Sequence, residues 1–171
     1  MEMHRDGDAI PPLRELVKVD PDHKSGRLQL GWAQIEMGRD EAALENLEEA
    51  FRLEPESELV KKALCQAHSN LSTAFGRIKN QKQSEHHFHG AIKNIPDFGP
   101  AHLSMGICYT ELGRYKDALA KIKEALKLDK NLSVEAHYRF GEVYAKLKDI
   151  KKAIKHYKES IAVDTVTAMH N

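Results

Sequence analysis

Residues 99–132 read GPAHLSMGICYTELGRYKDALAKIKEALKLDKNL, and this stretch decides the fold. Pro100 and Ala101 open a helical pattern in which Leu103, Met105, Ile107, Tyr109 and Leu112 fall more densely than one stripe requires, so the helix must meet neighbours on several sides. Gly113 supplies a turn. From about Tyr115 a second pattern places Ala118, Leu119, Ile122, Ala125 and Leu126 on one face, with Lys116, Lys121, Lys123, Glu124 and Lys127 elsewhere. Such a hairpin cannot bury its own apolar surface and calls for further copies of itself.

The copies are present. Residues 24–57 repeat the pattern through Leu30, Gly31, Gly38, Ala43, Leu47, Ala50 and Pro55. Residues 134–167 do so through Phe140, Gly141, Tyr144, Ala153, Tyr157 and Ser160, with Lys148 and Thr165 in place of a turn glycine and a closing proline. Residues 65–98 form the weakest copy: Leu71, Ser72, Phe75, Phe88, Ala91 and Pro96 agree, but Lys79 replaces the turn glycine and Ser84 the small alanine. The closing positions Pro21, Pro55, Pro96, Lys130 and Thr165 are separated by 34, 41, 34 and 35 residues. A near-constant period in this range marks supersecondary units stacked into one continuous core.

The set Gly106, Tyr109, Gly113, Tyr115, Ala118, Ile122 and Ala125, with the run Leu112-Gly113-Arg114-Tyr115, resembles the signature of the tetratricopeptide repeat family. Gly106, Ala118 and Ala125 let two helices approach closely while Tyr109 and Ile122 fill the space beside them. The resemblance extends from Leu13 to Thr167 and implies an all-α, right-handed α-solenoid of antiparallel helix pairs, about nine helices in all. Its expected divisions are an irregular segment at 1–12, the closing helix of a partial repeat at 13–23, full repeats at 24–57, 58–98, 99–132 and 133–167, and a tail at 168–171. The 41-residue step contains seven extra residues, about two helical turns, and predicts one long helix from about Ser57 to Gly76 whose added turns project as a ledge.

Composition narrows the function. The chain has 171 residues, 41% apolar and only 6% aromatic, with a mean hydropathy of −0.57. No run approaches the roughly 20 apolar residues of a membrane span, and residues 1–12 lack the apolar core of a secretory signal. A cytoplasmic, reducing setting is expected, with Cys65 and Cys108 as buried small hydrophobes rather than a disulfide. The net charge of zero conceals polarity: residues 1–60 hold 15 acidic and 7 basic groups, and residues 61–171 hold 11 acidic and 19 basic. Along a solenoid, sequence position is spatial position, so scattered solvated charge and head-to-tail self-association are both open.

In tetratricopeptide proteins the first helices of successive repeats line a concave groove. By register the resemblance implies a peptide-binding groove of Leu28, Trp32 and Ile35, then Ser69, Asn70, Thr73 and Arg77, then Leu103, Ile107 and Thr110, then Tyr138, Arg139 and Glu142. Apolar groups facing such a trough suit an apolar or amphipathic partner segment, with Trp32, the sole tryptophan, as anchor. The competing expectation is that these side chains tuck against a neighbouring segment such as residues 1–12. The function implied is a non-catalytic protein-interaction scaffold or adaptor, with a self-assembling homo-oligomer as the alternative and a nucleic-acid-associated repeat protein as a weaker one. A chaperone C-terminal tail is argued against, because Leu28, Trp32, Ser69, Thr73, Ser104 and Glu135 stand where a clamp for that acidic peptide needs basic or amide groups.

The chain shows no nucleophile elbow, phosphate loop or paired metal ligands, so no catalysis, cofactor or metal is expected. His68, His102 and His137 recur at one place in three units and are expected to serve packing, since neighbouring units lie about 10 Å apart, too far to share an ion. His86 and His89 share a helix face without a third ligand and make a poor metal site.

Overall fold

The computed structural model describes residues 6–168, with side chains for residues 9–162. Its helices are α1 (Asp6–Val19), α2 (Lys24–Glu36), α3 (Asp40–Leu53), α4 (Glu58–Arg77), α5 (Gln81–Asn94), α6 (Gly99–Glu111), α7 (Tyr115–Leu128), α8 (Ser133–Lys146) and α9 (Ile150–Ala168), with a short 3₁₀ turn at Lys130–Leu132. There is no strand among the described residues. Each helix packs on its neighbours in sequence, and α2, α4, α6 and α8 also touch one another in series, forming an inner row.

The turns inside the four hairpins share one backbone solution. Gly38, Lys79, Gly113 and Lys148 all hold a left-handed φ between 60° and 74°. At each, the turn residue donates to the carbonyl three residues back and the next residue to the carbonyl five back, as in Gly38→Ile35 and Arg39→Gln34 at 2.9 and 2.8 Å. This is the Schellman closure, which satisfies the last carbonyls of the first helix and turns the chain. Two lysines thus accept a conformation that glycine adopts without cost.

Close helix approach is fixed by small residues. A Cβ on Gly106 would lie 2.7 Å from Ile122 Cγ1, so any side chain there would separate α6 from α7. Ala118, Ile122 and Ala125 are fully buried opposite it, and Leu103, Ala136 and Val143 continue the same cluster toward α8. In the second unit Ser72 and Ser84 occupy the corresponding contact, and both are fully buried.

Two expectations are corrected. The first helix begins at Asp6, inside the segment expected to be irregular at 1–12; residues 1–5 and the end of the expected tail, 169–171, lie outside the described residues. Ile10, Leu13 and Val17 form an apolar stripe against Leu30 and Ala33 of α2, which holds the turn ahead of Pro11 and Pro12. The long helix exists, 20 residues against 13 for α2 and α6, but its added turns are not a free ledge. Val60, Ala63 and Leu64 are buried against Ala43, Leu47 and Ala50 of α3, because they continue the apolar face of α4 at helical spacing.

Candidate functional site

A trough of about 520 Å³ runs along the inner row. Its walls are Gln66, Asn70, Thr73 and Arg77 from α4, Asp40 at the start of α3, and Glu135 and Arg139 from α8. Pro100, Leu103, Ser104 and Ile107 of α6 lie between them. One wall is pre-organised by a chain of side-chain bonds: Gln66 Nε2 donates to Asn70 Oδ1 at 2.9 Å, and Asn70 Nδ2 donates to Asp40 Oδ1 at 2.8 Å. Burial raises the Asp40 pKa above the usual carboxylate value, partly opposed by the Asn70 bond. On the other wall Arg139 donates to Glu142 Oε2 and Glu135 Oε1, both at 2.9 Å, while its buried Nε has no partner among the described residues.

The structure divides the expected groove residues. Ser69, Asn70, Thr73, Arg77, Leu103, Ile107 and Arg139 line this trough. Ser69, Leu103 and Ile107 are nonetheless buried, because Ser69 bonds back to the Cys65 carbonyl and Leu103 packs toward Ala136 and Val143; they form a floor, not exposed anchors. Thr110 is buried outside it, donating to the Gly106 carbonyl at 2.9 Å. Leu28, Trp32 and Ile35 are half-buried against the α3–α4 core and do not line this trough. Tyr138, 46% exposed, leans on Tyr157, and Glu142 is engaged with Arg139; neither lines the trough.

Across the other face of the last hairpin three groups meet. His137 Nδ1 and His156 Nδ1 are 3.1 Å apart, and Glu159 Oε2 lies 3.0 Å from the first and 3.1 Å from the second. Tyr144 stacks on the His156 ring at 5.4 Å. Burial lowers the pKa of His156, with Glu159 opposing, which favours the neutral imidazole. The second hairpin carries the same pair, His68 and His87, also 3.1 Å apart through Nδ1. Burial, followed by the nearby His87, His86 and Lys93, takes the His68 pKa down to about 4. Both cysteines are free and buried, and burial pushes the Cys65 thiol up to about 11.

Family models described as tetratricopeptide repeat match residues 26–57 and 99–166, which together are more than half of the chain. The chain belongs to the tetratricopeptide repeat family. It is 27% identical over 166 residues to the DnaJ protein P58IPK homolog of Arabidopsis thaliana, covering 89% of this chain and 33% of that protein. It is 30% identical over 91 residues to Hsp70-Hsp90 organizing protein 3 of the same plant, covering 52% of this chain and 16% of that protein. The chain therefore spans a third or less of the curated relatives it matches. Among solved structures it resembles MamA in fold, with a TM-score of 0.66 at 18% identity over 99% of each chain.

Laid over one tetratricopeptide unit, the paired imidazoles occupy a position in the first helix and another 19 residues later in the second. The same two places hold Arg27 and Asn46, bonded at 3.2 Å, in the first full repeat, and His102 and Lys121 in the third. The recurrence at 68/87 and 137/156 was the sequence signal for this pairing. A comparison of first helices alone misses it, because the partner comes from the returning helix.

Proposed function

We propose that this tetratricopeptide chain is a non-catalytic interaction scaffold that holds an amphipathic or extended apolar segment of another protein in the trough between α4, α6 and α8. Tetratricopeptide proteins are in general scaffolds for protein–protein contact. The observation that carries the reading is the trough itself, with an apolar floor at Leu103 and Ile107 and polar walls already fixed by the Gln66–Asn70–Asp40 bonds. Pre-set walls reduce the ordering cost of binding, and an affinity near the micromolar range follows from burying a few partner side chains. One relative is named for Hsp70 and Hsp90. In this chain Ser69, Thr73 and Ser104 lie along the trough, and its two cations, Arg77 and Arg139, are matched by Asp40 and Glu135, so it lacks the excess of positive charge that an acidic tail needs and a chaperone tail is not the ligand we propose.

The test is selection of peptides of about 15 residues from a random library on the full chain, followed by affinity measurement on a Thr73→Trp variant. Filling the trough should weaken binding at least tenfold, and Lys93→Ala on the outer row should leave it unchanged. Equal affinity for Thr73→Trp would remove the trough from the account.

Self-association is the second reading, favoured by the last helix, where Ile150 and Ile154 are 57% and 49% exposed on one face. Mass measured against protein concentration for the chain and for an Ile154→Asp variant separates it from the first: an apolar contact through α9 is lost in the variant, whereas pairing of the acidic and basic halves would instead weaken as ionic strength rises.

A further inference from the structure

The Nδ1 atoms of His137 and His156 and one carboxylate oxygen of Glu159 form a triangle with sides of 3.0–3.1 Å. Zinc-class ions bind imidazole nitrogen and carboxylate oxygen at about 2.0–2.2 Å, a radius at which neighbouring donors stand about 3 Å apart. The three side chains are 20%, 19% and 37% exposed, so the cradle is shielded but open to entry. It is built from both helices of the hairpin: His137 projects from α8, and His156 and Glu159 lie one turn apart on α9. Tyr144 and Phe140 rest against the His156 ring and fix its orientation. The second hairpin supplies an internal contrast, since its His68–His87 pair has the same separation but Gly90 stands where Glu159 would be.

We propose that His137, His156 and Glu159 form a three-ligand site for a divalent ion of the zinc class, joining α8 to α9. Two imidazoles with one carboxylate suit zinc, cobalt, nickel or copper; magnesium and calcium take all-oxygen sets. Three protein ligands leave further coordination positions for water or for a donor from a partner. Among the described residues no other group of three such ligands converges, so one equivalent is expected.

Titration of the full chain with zinc chloride, followed calorimetrically, should show one equivalent bound with a micromolar or tighter Kd. Glu159→Gln and His156→Gln should each weaken it at least tenfold, while His87→Gln leaves it unchanged. At a hundredfold excess over Kd the ion should raise Tm by about 5–10 °C. In the unmutated chain the ring-nitrogen NMR signals of His137 and His156 should shift with bound zinc, a readout that does not depend on a variant folding. Millimolar binding only, affinity unaffected by Glu159→Gln, or zinc-induced shifts at His86 and His89 in place of His137 and His156 would overturn the proposal.

Discussion

Ser72 and Ser84 are locked reciprocally across the second hairpin: Ser72 Oγ donates to the Ser84 carbonyl at 2.9 Å, and Ser84 Oγ donates to the Ser72 carbonyl at 2.8 Å. Both residues are fully buried, and they stand where the other hairpins pair a glycine with an alanine. Substitution toward a family's common residue generally stabilises. Here Ser84→Ala should do the opposite, lowering stability by about 0.5–1.5 kcal/mol, because it removes a buried hydrogen bond without adding apolar contact. The check is the midpoint of urea unfolding. A midpoint equal to or above that of the unmutated chain would contradict it.

Lys79 and Lys148 call for the reverse treatment. Their φ values of 60° and 61° lie in the left-handed region, where a Cβ is strained, and the equivalent positions are Gly38 and Gly113. Lys79→Gly and Lys148→Gly should each stabilise by about 0.5–1 kcal/mol, the relief of strain exceeding the added freedom of the unfolded chain. In a domain of this size that corresponds to roughly 1–4 °C in Tm per change. Gly113→Lys should shift Tm downward by a similar amount.

These turns were legible in the sequence because a local rule fixes them: a period near 34 residues, a turn residue after each apolar pattern, and small residues where helices cross. The long α4 was legible for the same reason, from its two added turns. Legibility fails where a neighbour decides. Leu103 and Ile107 read as open groove residues, yet both are buried within the stacked array. Residues 1–12 read as an irregular segment, yet the contacts of Ile10 and Val17 with α2 sustain a helix from Asp6 onward. The His137–His156–Glu159 cluster depends on which residues of the returning helix lie opposite the first, a relation that period alone does not display.

Acidification should weaken the fold through the second hairpin. The His68 pKa is depressed from 6.5 to about 4 by burial and by His87, His86 and Lys93 beside it, and that of His87 is lowered too, with Glu41 of α3 opposing. Below pH 6.5 the unfolded chain takes up a proton that folded His68 refuses, so its contribution to stability is full above that pH, declines as pH falls, and levels off near pH 4. Discounted for the ring's remaining contact with solvent, the loss is about 1–2 kcal/mol. Urea unfolding at pH 7, 6, 5 and 4 measures it. His68→Gln should reduce the slope; an identical slope would show that other groups carry the pH dependence.

Trp32 separates folding from recognition. Its register in the inner row makes it an inviting anchor for a partner, but its ring is half-buried against the cluster of Ala43, Leu47, Val60 and Ala63. A partly buried aromatic contributes by the apolar area it removes from water, so Trp32→Ala should lower stability by about 2–3 kcal/mol. An exposed groove residue would change it by no more than about 0.5 kcal/mol. Peptides selected on the full chain should retain their affinity for Trp32→Ala at temperatures where that variant is folded, while Thr73→Trp loses them. If Trp32→Ala keeps its stability but loses the peptides, the binding surface extends along α2 and the trough between α4, α6 and α8 is only part of it.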